Sequence, residues 1–153
     1  TQIYKTYFFA KLRSIIKKGF IRKFAERSNV VIMDINDNVS ESIRKLAQAL
    51  REGDRVVIFP EGTRSKDPNG KMLPPKAGIG LIAKATHSDI LPACIYFEGK
   101  SKFRKKITIR FGEVIPYEDL GLTDESNMGE IKEASRFIMG KIGELLEKGH
   151  EKD

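Results

Sequence analysis

The sequence lacks any run of apolar residues long enough to cross a lipid bilayer, for which a helix needs about 20 consecutive positions. It has one cysteine, Cys94, which excludes an internal disulfide and fits a reducing compartment. It also has no internal repeat and no low-complexity linker. With 40% hydrophobic and 32% charged residues, the 153-residue chain has the composition of one globular domain that buries its own core.

Excess positive charge is confined to the amino end. Residues 1–28 hold eight lysines and arginines against a single carboxylate, Glu26, whereas residues 29–153 hold 20 charges of each sign. The apolar residues of the stretch 4–26 are spaced by three and four, which predicts a basic amphipathic helix, interrupted near Gly19.

Such a segment suits an anionic partner. We expect it to contact a membrane surface, where aromatic side chains enter the interface and cations meet anionic head groups. The residues expected to make this contact are Phe8, Phe9, Lys11, Arg13, Lys17 and Lys18. The other interpretation is an ordinary helix whose apolar side belongs to the core. Nucleic acid could use the same cations, but the sequence contains no recognisable nucleic-acid module, so we expect no such partner.

Strand and helix patterns alternate along the rest of the chain. Predicted strands cover 29–35, 55–59, 90–97 and 107–111, and predicted helices follow Asn38, cover 77–86 and occupy 124–149. Gly53 is expected to end the first of these helices, and Asn127 with Glu130 to cap the last. This alternation predicts a single α/β domain in which helices flank a mixed, mostly parallel sheet.

The strand at 55–59 ends in VVIFPEGTRS, residues 56–65, where a strand tip in an α/β sheet is a usual ligand site. Arg64 can bind a phosphate or carboxylate with two parallel hydrogen bonds. Gly62 lets backbone N–H groups approach an anion, and Thr63 and Ser65 add hydroxyl donors. Glu61 would orient Arg64 or accept a hydrogen bond from a sugar-like hydroxyl. The alternative is a solvated turn in which Glu61 and Arg64 pair with each other.

FPEGTRS strongly resembles a signature of the glycerolipid acyltransferases, the family of 1-acylglycerol-3-phosphate and related lysophospholipid acyltransferases. Three other blocks resemble the family in the right order: the strand block at 29–38, the lysine-glycine element at 76–78 and the apolar block at 90–96. The resemblance covers roughly residues 5–117 and disfavours the solvated turn.

The resemblance implies an enzyme that transfers a fatty acyl group from acyl-CoA or acyl carrier protein to a hydroxyl of a glycerophosphate-type acceptor. It implies no metal and no resident cofactor, because the acyl thioester is a co-substrate. It assigns acceptor and phosphate binding to Glu61, Gly62, Thr63, Arg64, Ser65 and Lys76, with secondary roles for Asp34 and Pro92. The implied place of action is the cytoplasmic side of a membrane, to which the protein would bind peripherally.

Two departures from the family pattern limit this assignment. The family's general base is the histidine of a His-x4-Asp motif, and neither His87 nor His150 has an aspartate at that spacing. We expect His87 to close a helix and the base to lie upstream of Thr1, so that this chain holds the acceptor-binding half of the site and is inactive alone. The arginine that often follows the aspartate of the upstream strand block is also missing after Asp34, which leaves the identity of the acceptor head group open.

A non-catalytic module that binds lipid or phosphate and lacks the base is the alternative to the enzyme. A nucleic-acid binder with a coincidental motif is a third hypothesis.

Overall fold

A computed structural model describes residues 6–9, 39–63, 65, 71–98 and 106–150. Strands and helices follow one another in the order β1, α1, β2, α2, β3, β4 and α3, with a 3-10 turn before the last helix. Their bounds are β1 Thr6–Phe9, α1 Val39–Arg51, β2 Arg55–Ile58, α2 Gly78–Thr86, β3 Ala93–Glu98, β4 Lys106–Phe111, the 3-10 turn Tyr117–Leu120 and α3 Met128–His150.

Strand β1 corrects the helix that the sequence predicted over residues 4–26 at four positions, and the rest of that range lies outside the described residues. The four residues from Thr6 to Phe9 pair in parallel with β2, so that Thr6 lies opposite Arg55 and Phe9 opposite Ile58. Aromatic residues and threonine favour extended backbone, and a parallel neighbour supplies the ladder of hydrogen bonds that a short strand needs. The three-and-four spacing of apolar residues therefore misled the prediction at this point. Phe8 and Phe9 belong to this strand, whereas Lys11, Arg13, Lys17, Lys18, Asp34 and the strand predicted at 29–35 lie outside the described residues.

Strands β3 and β4 form an antiparallel pair in which Ala93 lies opposite Phe111 and Glu98 opposite Lys106. The strand predicted to start at residue 90 starts at Ala93 instead, because Pro92 has no backbone N–H to give to the ladder. An isolated bridge joins Ile90 to Ile115 beyond this interruption. Within the described ranges the strands thus form two separate pairs, one parallel and one antiparallel. A mixed helix and strand domain is confirmed, whereas a single, mostly parallel sheet is not.

The helices pack against each other and against the strands. Leu46 and Ile82 form a small buried cluster between α1 and α2, against which Ile58 of β2 also packs. A larger cluster joins α2 and α3 to the segment between β4 and α3; its members are Ile79, Ala83, Ile115, Leu120, Leu122, Ile131, Ala134 and Ile138. These residues pack α2 against α3, and the loop that follows β2 leads directly into α2.

Gly80 allows α2 and α3 to approach closely. A Cβ atom at this position would meet the carbonyl oxygen of Ile131 and lie 2.8 Å from Ser135 Oγ. The backbone N–H of Gly80 donates to Ser135 Oγ at 3.2 Å, and the Ser135 hydroxyl donates to the Ile131 carbonyl at 2.9 Å. Both polar groups of this buried contact are therefore satisfied.

The predicted C-terminal stop at Gly53 and cap at Asn127 are confirmed, whereas the last helix begins at Met128 and not at residue 124. Gly53, with φ of +84°, ends α1, and its N–H donates to the carbonyl of Leu50. The Asn127 side chain accepts hydrogen bonds from the N–H groups of Gly129 and Glu130, and Glu130 accepts one from the Asn127 N–H at 2.7 Å. This is the reciprocal capping box that the sequence indicated. Among the helices described, none combines the length and apolar character needed to cross a bilayer.

Candidate functional site

The loop at 59–76 leaves the carboxyl end of β2, next to the carboxyl end of the parallel strand β1. Its first four residues form a tight turn in which the N–H of Gly62 donates to the carbonyl of Phe59 at 3.0 Å. Gly62 has φ of +65°, a left-handed conformation that residues with a side chain adopt only at a cost. The sequence element EGT therefore begins where ligands usually bind in α/β folds.

Lys76 lies directly over this turn. Its backbone N–H donates to the carbonyl of Pro60 at 2.8 Å, which closes the loop on itself. A Cβ atom at Gly62 would lie 2.9 Å from Cδ and 3.3 Å from Nζ of Lys76, so the lysine side chain occupies the space that glycine leaves. The structure thus brings together two predicted site residues, Gly62 and Lys76, from the two ends of the loop.

Glu61 and Ser65 bind the backbone of the returning half of the loop. Glu61 Oε2 accepts a hydrogen bond from the Leu73 N–H at 2.7 Å in a partly buried position. The Ser65 hydroxyl donates to the carbonyl of Lys71 at 2.7 Å. Both side chains therefore stabilise the loop, a role that the sequence prediction did not assign to them. Thr63 is exposed, and Arg64 lies outside the described residues.

Helix α2 begins immediately after Lys76. Its N-cap residue is Ala77, no described side chain caps it, and its first turn contains no acidic residue. The first N–H groups of a helix carry partial positive charge, and in this chain they follow Lys76 directly in sequence. Chemically, the loop and this helix end favour a small anion such as a phosphate.

The second half of the loop packs on α3. A Cβ atom at Gly143 would lie 3.0 Å from Cε of Met72, so the methionine reaches the surface of that helix. Contacts at Met72, Leu73 and Lys76 therefore connect the loop to α3 and to its own first turn. These contacts fix the loop at several points along its length.

Pro92, predicted to have a secondary role, is buried at the start of β3. Its carbonyl accepts a hydrogen bond from the Gly112 N–H at 2.9 Å, and its Cγ lies 3.1 Å from the place of a Cβ at Gly112. The same Cβ would contact Leu145 of α3 at 3.1 Å. These contacts are those of a packing residue between strand and helix.

His87 closes α2, as the sequence predicted. It has φ of +50°, and its N–H donates to the carbonyl of Ala83 at 2.8 Å. It comes nine positions after Gly78 at the helix start, which amounts to roughly 13 Å along the axis. The imidazole is thus at the far end of α2 from the loop at 59–76.

The environment of His87 contains a carboxylate that sequence spacing did not reveal. His87 Nε2 lies 2.9 Å from Asp124 Oδ1, and its ring stacks on Tyr117 at a centroid distance of 4.6 Å. Burial, and then the charge of Asp124, raise the pKa of the Tyr117 hydroxyl. Asp124 comes 37 residues after His87 and belongs to no motif, so no signal in the sequence indicated this pair.

A cavity of about 520 Å³ lies beside this pair, lined in part by Arg51 and Lys84. Arg51 donates to the carbonyl of Ala85 at 3.1 Å, and Lys84 donates to that of Ser126 at 2.8 Å. Both cations are therefore engaged with the backbone. In the described part of the chain, no three His, Cys, Asp or Glu residues lie close enough together to bind a metal ion.

Two comparisons found proteins that are similar to this chain. The family model described as Acyltransferase matches residues 2–96, which include the whole of the loop at 59–76. A protein of Bacillus subtilis (strain 168) named 1-acyl-sn-glycerol-3-phosphate acyltransferase is 27% identical over 135 residues, which are 86% of this chain and 65% of the relative. The chain thus spans slightly less than two thirds of that relative's length. No solved structure gave a significant match. The chain belongs to the glycerolipid acyltransferase family.

Proposed function

We propose that the chain provides the acceptor-binding part of an O-acyltransferase of the 1-acylglycerol-3-phosphate acyltransferase type. The enzyme would transfer a fatty acyl group from acyl-CoA or acyl carrier protein to the free hydroxyl of a lysophospholipid or 1-acylglycerol-3-phosphate, a step of phospholipid biosynthesis. Family membership and the name of the Bacillus subtilis relative support this proposal.

The observation that carries the proposal is the arrangement of Lys76 over Gly62 at the start of α2. A lysine ammonium, the N–H groups of a helix start and a glycine turn are groups that bind phosphate in other proteins. Arg64, adjacent in sequence to this turn, would add a guanidinium that matches phosphate oxygens in pairs. Glu61 and Ser65 would act by holding the loop in shape around the phosphate.

In the proposed reaction the acceptor hydroxyl attacks the thioester carbonyl carbon. A C–O ester bond forms, the C–S bond breaks, and a general base moves the hydroxyl proton to the departing thiolate. The loop at 59–76 would position the acceptor for this attack. The base would be the histidine of a His-x4-Asp motif, which these 153 residues do not contain, so we expect this chain alone to be inactive.

A non-catalytic module that binds a phospholipid head group is a second candidate. The position of His87 favours it, because this histidine is bound to Asp124 at the far end of α2 from the phosphate-binding loop. Acyl transfer by a natural form of the protein that contains the His-x4-Asp motif would support the enzyme. Acceptor binding without transfer by every natural form would support the module.

The phosphate-binding role is tested by replacing a lysine over the turn and a lysine elsewhere in the same loop. We expect Lys76→Ala to weaken binding of short-chain 1-acylglycerol-3-phosphate by about tenfold, because a charged hydrogen bond is lost. Lys71→Ala, at an exposed position in that loop, is the matched control and should bind within about twofold of wild type. Titration calorimetry measures both. Equal weakening by the two substitutions would indicate general electrostatic attraction and contradict the assigned role of Lys76.

We also propose that the protein binds peripherally to the cytoplasmic side of a membrane. The one-sided charge of residues 1–28 supports this, since cations near an anionic surface contribute about 1 kcal/mol each. Phe8 and Phe9 lie in β1, which leaves the cations from Lys11 onward as the stronger part of the proposed contact. Sedimentation with anionic vesicles at low and high salt tests it, and binding that salt does not weaken would contradict it.

A further inference from the structure

Met72 belongs to the loop at 59–76 but packs outside it, on helix α3. A Cβ atom at Gly143 of α3 would lie 3.0 Å from Cε of Met72, so the methyl group of the methionine lies where another residue would carry its first side-chain carbon. Both residues are half-buried. Glycine in the middle of a helix destabilises it relative to alanine, and the contact with Met72 gives this position a reason to lack a side chain.

The part of α3 that Met72 contacts is fixed by the core. Before Gly143, Ile138 is 1% exposed and belongs to the buried cluster that also contains Ile79 of α2. After it, Leu145 packs against Gly112, with its Cδ1 3.1 Å from the place of a Cβ there. Helix α3 therefore offers the loop a support that is packed on other elements on both sides of the contact.

The residue after Met72 connects this contact to the turn at the start of the loop. The N–H of Leu73 donates to Glu61 Oε2 at 2.7 Å, and Glu61 directly precedes Gly62. Hydrogen bonds to a carboxylate are shorter and stronger than those between neutral groups. The N–H of Leu73 belongs to the rigid peptide plane that begins at the Met72 carbonyl, so fixing the methionine also fixes the direction of this donor.

Two prolines stiffen the chain between Leu73 and Lys76. The rings of Pro74 and Pro75 hold φ at about −65°, and Leu73, which precedes a proline, is restricted to extended backbone. The N–H of Lys76 then donates to the carbonyl of Pro60 at 2.8 Å. A displacement at the start of this stiff segment would therefore be transmitted to the lysine and not absorbed by the bonds between them.

We propose that Met72 is a positioning residue of the acceptor-binding loop, and that its contact with Gly143 keeps Lys76 in place over the turn at Gly62. The methionine acts through the backbone of Leu73 and the two prolines, without touching the ligand. The inference rests on the proposed binding of an acceptor phosphate by the loop. It adds that α3, which lies outside the EGTRS motif, sets the geometry of that site, because a binding group contributes most when its neighbours hold it in place.

Variants of Met72 and of two α3 glycines test this role in the full chain. Met72→Ala removes the contact, Met72→Leu keeps an apolar side chain of similar volume, and Gly143→Leu fills the same space from the helix. Gly140→Leu adds an identical side chain one turn earlier, at an exposed position with no described atom within 4 Å of the place of its Cβ, and is the matched control. Titration calorimetry measures binding of short-chain 1-acylglycerol-3-phosphate and of the matching monoacylglycerol, which lacks the phosphate.

We expect Met72→Ala and Gly143→Leu each to bind 1-acylglycerol-3-phosphate about fivefold more weakly than wild type, with affinity for the monoacylglycerol unchanged. Met72→Leu and Gly140→Leu should bind both ligands as wild type does. Because the two damaging changes remove the same contact, their combination should be no weaker than either alone. A general loss of packing would instead lower the affinity for both ligands, and its effects would add in the double variant.

The amide resonances of the loop give a second readout that needs no ligand. In nuclear magnetic resonance spectra of the free chain, the N–H signals of Leu73 and Gly62 should move in Met72→Ala and in Gly143→Leu, and should keep their wild-type positions in Gly140→Leu. Circular dichroism identifies a variant that fails to fold. Because the contact is removed once from the loop and once from the helix, the other variant then decides the test.

Three results would overturn the positioning role alone. In the first, wild type prefers the phosphate-bearing ligand and Met72→Ala retains the whole preference. In the second, the Leu73 and Gly62 signals do not move in Met72→Ala. In the third, Gly140→Leu weakens binding as much as Gly143→Leu does. Equal affinity of wild type for the two ligands would contradict the proposed phosphate site and this inference with it, and that result is seen in wild type before any variant is made.

Discussion

At the scale of single residues, Gly62 has two separate reasons to be glycine. Its φ of +65° disfavours any side chain, and Lys76 occupies the place of a Cβ. Gly121 has almost the same φ, +63°, but nothing lies within 4 Å of the place of its Cβ. The two positions therefore allow the cost of backbone strain to be separated from the effect of displacing Lys76.

We predict that Gly62→Ala and Gly121→Ala each lower the free energy of unfolding by roughly 1 kcal/mol, because both force a left-handed alanine. In addition, Gly62→Ala should weaken binding of 1-acylglycerol-3-phosphate, since Lys76 has to move. Urea denaturation and titration calorimetry measure the two effects. Unchanged acceptor binding in Gly62→Ala would show that the position of Lys76 over the turn does not matter for the ligand.

His87 is the residue for which sequence spacing and structure give different information. Because no aspartate follows His87 at the His-x4-Asp spacing, the sequence argued against this histidine as the family's base. The structure nevertheless shows a carboxylate, Asp124, 2.9 Å away. We predict that His87→Asn leaves acceptor binding within about twofold of wild type, because the pair lies at the far end of α2 and asparagine tolerates the left-handed backbone. Titration calorimetry measures this binding, and a separate assay of acyl transfer by a catalytically active natural form that carries His87→Asn should show an unchanged rate. Loss of transfer there would make the His87–Asp124 pair the catalytic base and overturn our assignment.

At the scale of elements, α2 follows the loop at 59–76 and packs against α3. Gly80 permits this contact, whereas Gly140 of α3 has nothing within 4 Å of the place of its Cβ. We predict that Gly80→Ala lowers the free energy of unfolding by about 1–3 kcal/mol, because the added methyl group meets the Ile131 carbonyl. Gly140→Ala should be neutral or stabilising by up to about 1 kcal/mol, as expected for an exposed helical glycine.

Chemical denaturation of both variants measures this difference. The methyl group added is the same, so a lower stability of Gly80→Ala relative to Gly140→Ala reports on the helix contact. Equal stability of the two variants would mean that α2 and α3 have room to move apart without loss.

The capping box of α3 is the other element-scale feature that can be tested. The Asn127 side chain accepts hydrogen bonds from two N–H groups that the helix cannot satisfy itself. We predict that Asn127→Ala lowers the free energy of unfolding by about 1 kcal/mol, whereas Asn127→Ser retains most of the stability because serine is also a good N-cap. Thermal denaturation followed by circular dichroism checks both. A serine variant as unstable as the alanine variant would contradict the capping explanation.

At the scale of the whole molecule, the sequence predicted features that depend on local chemistry. Gly53, His87 and the Asn127–Glu130 pair end or begin helices as expected, because caps depend on neighbouring backbone groups. Strand β1 was missed, because its partner β2 lies 46 or more residues away and periodicity cannot show such pairing. The same reason explains why Asp124 was not found beside His87.

In the candidate site, too, local features could be predicted from the sequence, whereas contacts that depend on the path of the chain could not. The motif identified the turn and its lysine from residue types, and the structure brings Gly62 and Lys76 together. It did not show that Glu61 and Ser65 bind the backbone of Leu73 and Lys71, because a loop's internal hydrogen bonds depend on how the chain returns. The phosphate-binding role of Arg64 remains a prediction from the motif.

The loop at 59–76 is proposed to bind the phosphate of a lipid acceptor. Calorimetric titration of the chain with a short-chain 1-acylglycerol-3-phosphate and with the matching monoacylglycerol, which lacks only the phosphate, tests it most directly. We predict that wild type binds the phosphate-bearing ligand at least about tenfold more tightly, and that Arg64→Ala loses most of this preference. Equal affinity of wild type for the two ligands, or a preference that survives in Arg64→Ala combined with Lys76→Ala, would contradict the claim.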